Sequence, residues 1–402
     1  MLFFKADFIF PVTSQPVPNG ILVTKNDGTI LSIHKTEKDI FKTYPKLQRR
    51  NFKLETYSGI LCPGFVNAHC HLELSFLNNK IKQGGGIVHF IQQLLKKRAS
   101  YSDALIKKHI RKADEEMYAN GIAAVGDISN SHNSFYQKLK SKIYYHTFIE
   151  ALDLKPTNTN NAFFLAQGLV AALRKTAPKN CAVSIVPHAP YTVTTGLFEL
   201  IKKYPYNKVV SIHNQESKAE NEFFKNKKGT LHDFFVSIGN DLRHVKSTGQ
   251  NSVCYSLPYL KNIKSVLLVH NTFTSKDDLT YILNQKPDIN FCLCPSANLY
   301  IEKVLPQINM LAKSGANICI GTDSYASNKN LSVLEEIKTI SKNFKSIPLT
   351  QLIYWATKGG ADALDIADKF GAFKTGIKPG IIHISNIKSG RLTLKSVVRR
   401  IK

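Results

Sequence analysis

His69-Cys70-His71 follows the apolar run Gly59-Ile60-Leu61-Cys62-Pro63-Gly64-Phe65-Val66. Residues two apart point the same way along extended chain, so both imidazoles can reach one cation in the geometry that zinc accepts. The pair alone could be incidental. Three further stretches, His213-Asn214-Gln215-Glu216, His270-Asn271 and Gly321-Thr322-Asp323-Ser324, each follow a short apolar run as well. Three neutral imidazoles and one carboxylate bind a divalent cation and leave a position for water, whose pKa falls toward neutrality there. His69, His71, His213 and Asp323 are assigned to that set. Glu216 is close enough to take the water's proton and return it to a ring nitrogen or leaving group. His270 would orient or polarise the water, and Asp323 could accept a proton as well as ligate. Each has a plain alternative when taken singly. His213 could be a hydrogen-bonded core histidine, Asp323 a helix N-cap before Ser324, and Glu216 part of a surface salt bridge within Glu216-Ser217-Lys218-Ala219-Glu220.

The elements that must position these residues are legible as apolar runs alternating with helix-like stretches, the pattern of parallel strands joined by helical crossovers. Candidate strands are Ile60 to Asn67, Ile122 to Asp127, Ile143 to Ile149, Ala182 to Val186, Lys208 to Ile212, Ser265 to Val269, Ile289 to Leu293 and Asn317 to Ile320. Their number is the one that closes a (β/α)8 barrel. Ile87 to Ala99 and Tyr101 to Asn120 repeat apolar residues at helical spacing, and Gly121 supplies a stop. His69 and His71 follow the first strand, His188 the fourth, His213 the fifth, His270 the sixth and Asp323 the eighth. All lie at C-terminal strand ends, the mouth where barrel active sites are built. The first ~58 residues read instead as short strands joined by Asn-Gly and Asp-Gly turns, and a similar texture returns at Ile381 to Asn386 and Leu392 to Leu394. Residues 1–58 and 375–402 are therefore expected to pair into one small β-sandwich domain, flanking a barrel over 59–374.

The chain has 402 residues and is 43% hydrophobic, enough for a sizeable core. No segment approaches the ~18 consecutive apolar residues of a membrane helix, and Met1-Leu2-Phe3-Phe4-Lys5-Ala6-Asp7 lacks the order of a secretory signal. A cytoplasmic location with no membrane partner is expected. Seven cysteines form neither a disulfide framework nor a zinc-ribbon spacing and are read as buried thiols in a reducing compartment. The net charge of +25 raises polyanions as partners. The lysines are spread along the whole chain without a nucleic-acid motif, so a solvated surface is the preferred reading and no specific nucleic acid is expected. An inactive barrel that binds polyanions is the alternative from a different class.

Pro63-Gly64-Phe65-Val66-Asn67-Ala68-His69-Cys70-His71-Leu72-Glu73, Pro187-His188-Ala189-Pro190-Tyr191-Thr192-Val193, His213-Asn214-Gln215-Glu216 and Gly321-Thr322-Asp323-Ser324-Tyr325-Ala326-Ser327-Asn328 together resemble the amidohydrolase superfamily, in its cytosine deaminase-like and chlorohydrolase-like (ATZ/TRZ) branch. The resemblance covers nearly the whole chain. It implies an α/β fold, a distorted TIM barrel with a composite β-sandwich, and one divalent metal ion, zinc in preference to iron. It implies a hydrolase acting on carbon–nitrogen bonds other than peptide bonds, foremost a deaminase of a purine-like, pyrimidine-like or related heterocycle. Hydrolysis of a cyclic amide, or removal of another leaving group such as chloride, is the alternative. By the same resemblance His188 and Ser327 contact the substrate and Asn328 supports the loop. Members with two bridged metals carry a carboxylated lysine where this chain has His188, which implies a mononuclear site. Glu73 could hydrogen-bond an exocyclic amine or cap the helix that follows. The Leu72-Glu73-Leu74-Ser75 stretch is similar to aminofutalosine deaminases, a narrower likeness set beneath the general one. The expected partner is a small heterocyclic substrate, and a homodimer is compatible with the family.

Overall fold

Eight short parallel strands carry the site. In the computed structural model, which describes residues 1–98, 100–176, 181–242, 245, 247–286 and 288–402, they are β1 (Phe65–Cys70), β2 (Ile122–Ser129), β3 (Tyr144–Ala151), β4 (Cys181–Pro187), β5 (Val209–Asn214), β6 (Ser265–His270), β7 (Asn290–Leu293) and β8 (Asn317–Ile320). They form two four-stranded parallel sheets, β1 to β4 and β5 to β8, each in sequence order. Every residue of β1, β2, β5, β6 and β7 is buried. Parallel strands covered on both faces read as unbroken apolar runs, which is why the sequence revealed them. At one junction of the sheets Thr322 and Asp323 donate their backbone N–H to His69 O at 3.0 and 3.1 Å. At the other, His213 N–H donates to His188 O at 3.0 Å.

Amphipathic helices cover the sheets. The helix Asp103–Ala119 buries Ile106, Ile110, Ala113 and Met117 on one face, is capped by the Ser102 hydroxyl accepting from Leu105 N, and ends before Gly121, whose φ of 83° suits glycine. The expected helix Ile87 to Ala99 is observed as Gly86–Arg98; Ala99 lies outside the described residues.

Both chain ends enter a third sheet of seven strands. Leu2–Ile9 lies inside it, antiparallel to Ile21–Thr24 and parallel to Leu54–Pro63; the latter pairs with Ile381–Ser385, which pairs with Val397–Arg400. Two sequence expectations are corrected here. The run Ile60 to Asn67 is two strands: Leu54–Pro63 belongs to the seven-stranded sheet, and β1 begins at Phe65. Pro63-Gly64 breaks the ladder, but both sides are buried, so apolar content gave no sign of the boundary. The last strand is Val397–Arg400 rather than Leu392 to Leu394, where Leu394 is 84% exposed. Arg400 is half-buried. Its guanidinium donates to Tyr118 O and Ile122 O at 2.8 and 2.7 Å and lies over the Tyr118 ring, tying the terminal sheet to β2.

Candidate active site

The ends of β1 and β8 bring the first residues together. His69 lies in β1 and His71 just beyond it, with ring planes at 81° and Nε2 atoms 3.2 Å apart. Asp323 reaches them because β8 runs close to β1: a Cβ on Gly321 would come within 2.7 Å of His69 Cβ, so only glycine fits. Asn67 then fastens Thr322, accepting from its N–H at 3.0 Å and donating to its hydroxyl at 2.7 Å. Asp323 Oδ1 stands 3.3 Å from His71 Nε2 and 3.7 Å from His69 Nε2. His213 on β5 completes the group, its Nε2 3.3 Å from that of His71. The His213 Nδ1–H donates to His188 O at 2.8 Å, which leaves Nε2 with its lone pair facing the others.

The donor set fits a divalent metal ion. Ligand nitrogens around a tetrahedral zinc sit ~3.3 Å from one another, close to the separations seen here. Burial holds His69, His71 and His213 below the ordinary imidazole value, in the neutral form that ligates. Among the described residues, the groups placed to hold an ion are His69, His71 and His213, and Glu150, His188 and His213. Neither contains a cysteine. All seven cysteines are free thiols; five are buried as expected, and Cys181 and Cys254 are half-buried.

After β5 the chain turns at Gln215, whose φ is 47°, and this swings Glu216 inward. Glu220, on the following helix, holds the turn: its carboxylate accepts from Gln215 N and Glu216 N at 2.8 and 3.0 Å and from the Ser252 hydroxyl at 2.6 Å. Glu216 is buried, so it is no member of a surface salt bridge. Burial, reinforced by the charges of Asp323 and Glu220, raises its carboxyl well above the ordinary range. Its Oε1 lies 3.6 Å from His270 Nε2. His270 ends β6 with φ of 74°, and Asn298 donates to its Nδ1 at 3.4 Å. With the Asn298 amide in this orientation the ring proton sits on Nε2, facing Glu216. Asp323 likewise has φ of 56° and is followed by turns, not by a helix it could cap.

The other expected residues are placed as follows. His188, half-buried after β4, has its Nδ1 2.7 Å from the Thr192 hydroxyl and its ring 4.9 Å from that of His213. Ser327, expected to contact the substrate, is turned toward Asp323: its hydroxyl donates to Asp323 Oδ2 at 2.5 Å, so it also positions that carboxylate. Asn328 ties the loop, donating to Thr322 O and Glu336. Glu73 makes no cap. Its carboxylate accepts from Arg98 at 2.9 Å and from Ser131 N–H and hydroxyl at 3.1 and 2.8 Å, giving both oxygens protein partners.

Sequence reasoning missed a buried pair behind the histidine turn. Asp127 Oδ1 accepts from Leu72 N at 2.7 Å, and Lys138, fully buried, lies 2.6 Å from Asp127 Oδ2 while donating to Ser129 and Thr147. Asp127 at a strand end was a usable signal; Lys138, in an ordinary helical stretch, gave none. Glu150 on β3 was missed as well.

The amidohydrolase family model matches residues 60–395. The chain belongs to the amidohydrolase family. Among relatives, this amidohydrolase is 26% identical over 329 residues to an adenosine deaminase of Helicobacter pylori, a match covering 80% of this chain and 77% of that protein. Among solved structures it resembles an aminofutalosine deaminase of Helicobacter pylori in complex with methylthio-coformycin, with a TM-score of 0.80, 21% identity, and coverage of 98% of this chain and 94% of that one. It also resembles an atrazine chlorohydrolase, TrzN from Arthrobacter aurescens, complexed with zinc, with a TM-score of 0.74, 14% identity, and coverage of 100% and 93%. These structural likenesses show a shared α/β fold with parallel sheets. No described helix is long and apolar enough to cross a membrane.

Proposed function

We propose that this amidohydrolase is a hydrolytic deaminase of a purine-like, pyrimidine-like or related heterocycle, and that His69, His71, His213 and Asp323 hold one divalent ion, zinc in preference to iron. The observation that carries the reading is the convergence of three imidazole Nε2 atoms and one carboxylate beside the buried Glu216. A divalent cation at such a site supplies Lewis acidity, which makes water a nucleophile near neutral pH. The chain's own residues do the rest. Glu216 takes a proton from the attacking water and delivers it to the substrate, so that water and the amino-bearing carbon become a carbonyl and ammonia. His270, with Nε2–H toward Glu216, orients the water. Asp323, fixed by Ser327, takes the second proton of the water as the carbonyl forms and returns it to the departing amine, and His188 contacts the ring.

The names of the relatives, adenosine deaminase and aminofutalosine deaminase, favour loss of an amine. Removal of chloride is the second reading, supported by likeness to the atrazine chlorohydrolase. Both reactions begin with attack on an sp² carbon, and pocket contacts choose the leaving group. The backbone bonds from His69 to Thr322 and from His188 to His213 support closure of the two sheets into a distorted (β/α)8 barrel. The seven-stranded sheet supports a composite domain drawn from both chain ends; because the strand Leu54–Pro63 lies in it, its first part runs to 63 rather than the expected 58, with 64–374 as the catalytic unit.

The test is ammonia and chloride release from adenine, adenosine, guanine, cytosine and atrazine by the metal-loaded enzyme. Ammonia from an aminated base or nucleoside, abolished by Glu216→Gln, is the expected result. Chloride release alone, or ring-opened products alone, would replace the deaminase reading. No turnover together with salt-sensitive binding of polyanions would favour the inactive barrel.

A further inference from the structure

Glu150 lies near the C-terminal end of β3, the same end of its sheet as His69 and His188. Its side chain is 4% exposed. One oxygen, Oε2, accepts from Asn130 Nδ2 at 3.0 Å. The other, Oε1, has no hydrogen-bond partner among the described residues. His213 Nδ1 lies 3.7 Å from it, beyond hydrogen-bond reach, and its hydrogen is already given to His188 O. A buried acceptor left unbonded costs about 1–3 kcal/mol, more when charged; His213 and Arg98 attract the carboxylate, but neither gives Oε1 a hydrogen.

Three kinds of ligand could complete Oε1. A second metal ion would need Glu150, His188 and His213 together, which lie within 4.8 Å of one another, but the His213 Nδ1 lone pair is lost to its N–H. An anionic group would meet like charge. A hydrogen-bond donor fits, and the position beside His188 and the candidate metal ligands sets that donor on the heterocycle or on the sugar atom next to it.

We propose that Glu150 is a specificity-determining residue whose Oε1 receives an N–H or O–H donor of the substrate, either a ring N–H or a sugar hydroxyl. The proposal rests on the deaminase reading above. Glu150 forms and breaks no bond in the reaction; it selects which heterocycle sits against the metal ligands. Asn130 makes the assignment testable without a change in volume. Because Asn130 presents an NH2 to one side of the carboxylate, Glu150→Gln must turn its amide oxygen that way and place its own NH2 where Oε1 was. An acceptor becomes a donor.

The experiment compares metal-loaded wild type and Glu150→Gln by ammonia release from matched pairs: adenine and 9-methyladenine, cytosine and 1-methylcytosine, adenosine and 2′-deoxyadenosine. Metal content and melting temperature are recorded alongside. Wild type is expected to favour the donor-bearing member of one pair by about 10- to 100-fold in kcat/KM. The first two pairs report a ring N–H and the third a sugar hydroxyl. In Glu150→Gln that preference disappears or reverses, metal content is kept, and the melting temperature holds or rises because a buried unpaired carboxylate is gone. An active wild type with no preference in any pair, or a variant that keeps the wild-type ratio, overturns the proposal alone. So does a variant that loses metal and both activities together, since Glu150 would then be a support for His213. A wild type that releases ammonia from none of the six sinks the deaminase reading and the proposal with it.

Discussion

The two four-stranded sheets contribute to the site in different ways. β1 to β4 supply His69, His71, Glu150 and His188 from ordinary negative-φ backbone, whereas β5 to β8 aim their groups through left-handed positions at Gln215, His270, Asn271 and Asp323. A non-glycine residue in that region costs of order 1 kcal/mol or more and persists only where its surroundings fix it. Here Glu220 accepts from the Gln215 and Glu216 amides, Asn214 donates to Asn271 at 3.0 Å, and Ser327 donates to Asp323. In the proposed mechanism the proton-handling groups all come from this strained sheet. The first sheet, in ordinary register, holds two of the metal ligands and the substrate contacts. Strain is concentrated where the direction of a proton matters.

That division can be broken by mutation. Glu216→Gln, on the strained sheet, should lower kcat by ~10²- to 10⁴-fold with KM and metal content unchanged, as measured by steady-state kinetics and elemental analysis; a variant with near-wild-type kcat would remove Glu216 from the reaction. On the other sheet the sharpest loss should be of stability. Lys138→Met leaves Asp127 buried without its cation, and denaturant titration should show a loss of about 3–5 kcal/mol; a neutral result would mean that Asp127 is held without its lysine. Ser327→Ala removes one hydrogen bond to a charged group, worth about 1.5–3 kcal/mol. It should act on kcat more than on KM if Asp323 must point in one direction during turnover.

A further effect is expected on pH dependence. His146, stacked on Phe148 in β3, is held by burial near about 4 against an ordinary 6.5. Between those values the unfolded chain binds a proton that the folded chain refuses, so stability falls as pH drops from 6.5 toward 4. Melting temperatures across that window should fall less steeply in His146→Phe. An equal slope in the two proteins would show that other groups set the acid limit.

Much of this site was legible in the sequence because its chemistry sits at fixed offsets from apolar runs. Each candidate strand from Ile122 onward was found within a few residues, and His69, His71, His213, Glu216, His270 and Asp323 lie at strand ends, where a parallel fold brings distant positions together. What stayed hidden depends on side-chain direction. The bond from Ser327 to Asp323, and those that Glu73 accepts from Arg98 and Ser131, could not be read from the sequence. Residue type and spacing do not say which of two nearby partners a short polar side chain will choose. Lys138 was invisible because a buried lysine and a solvated one look alike in a chain with 54 basic residues. The split at Gly64 was hidden because two fully buried strands in series give one continuous apolar run.

The most direct test is elemental analysis of the purified protein beside its His71→Ala and Glu216→Gln variants. The proposed site predicts about one divalent ion per chain, zinc foremost, in wild type and Glu216→Gln, and its loss in His71→Ala. Wild type that binds no metal even after reconstitution, or His71→Ala that keeps a full equivalent, would contradict it.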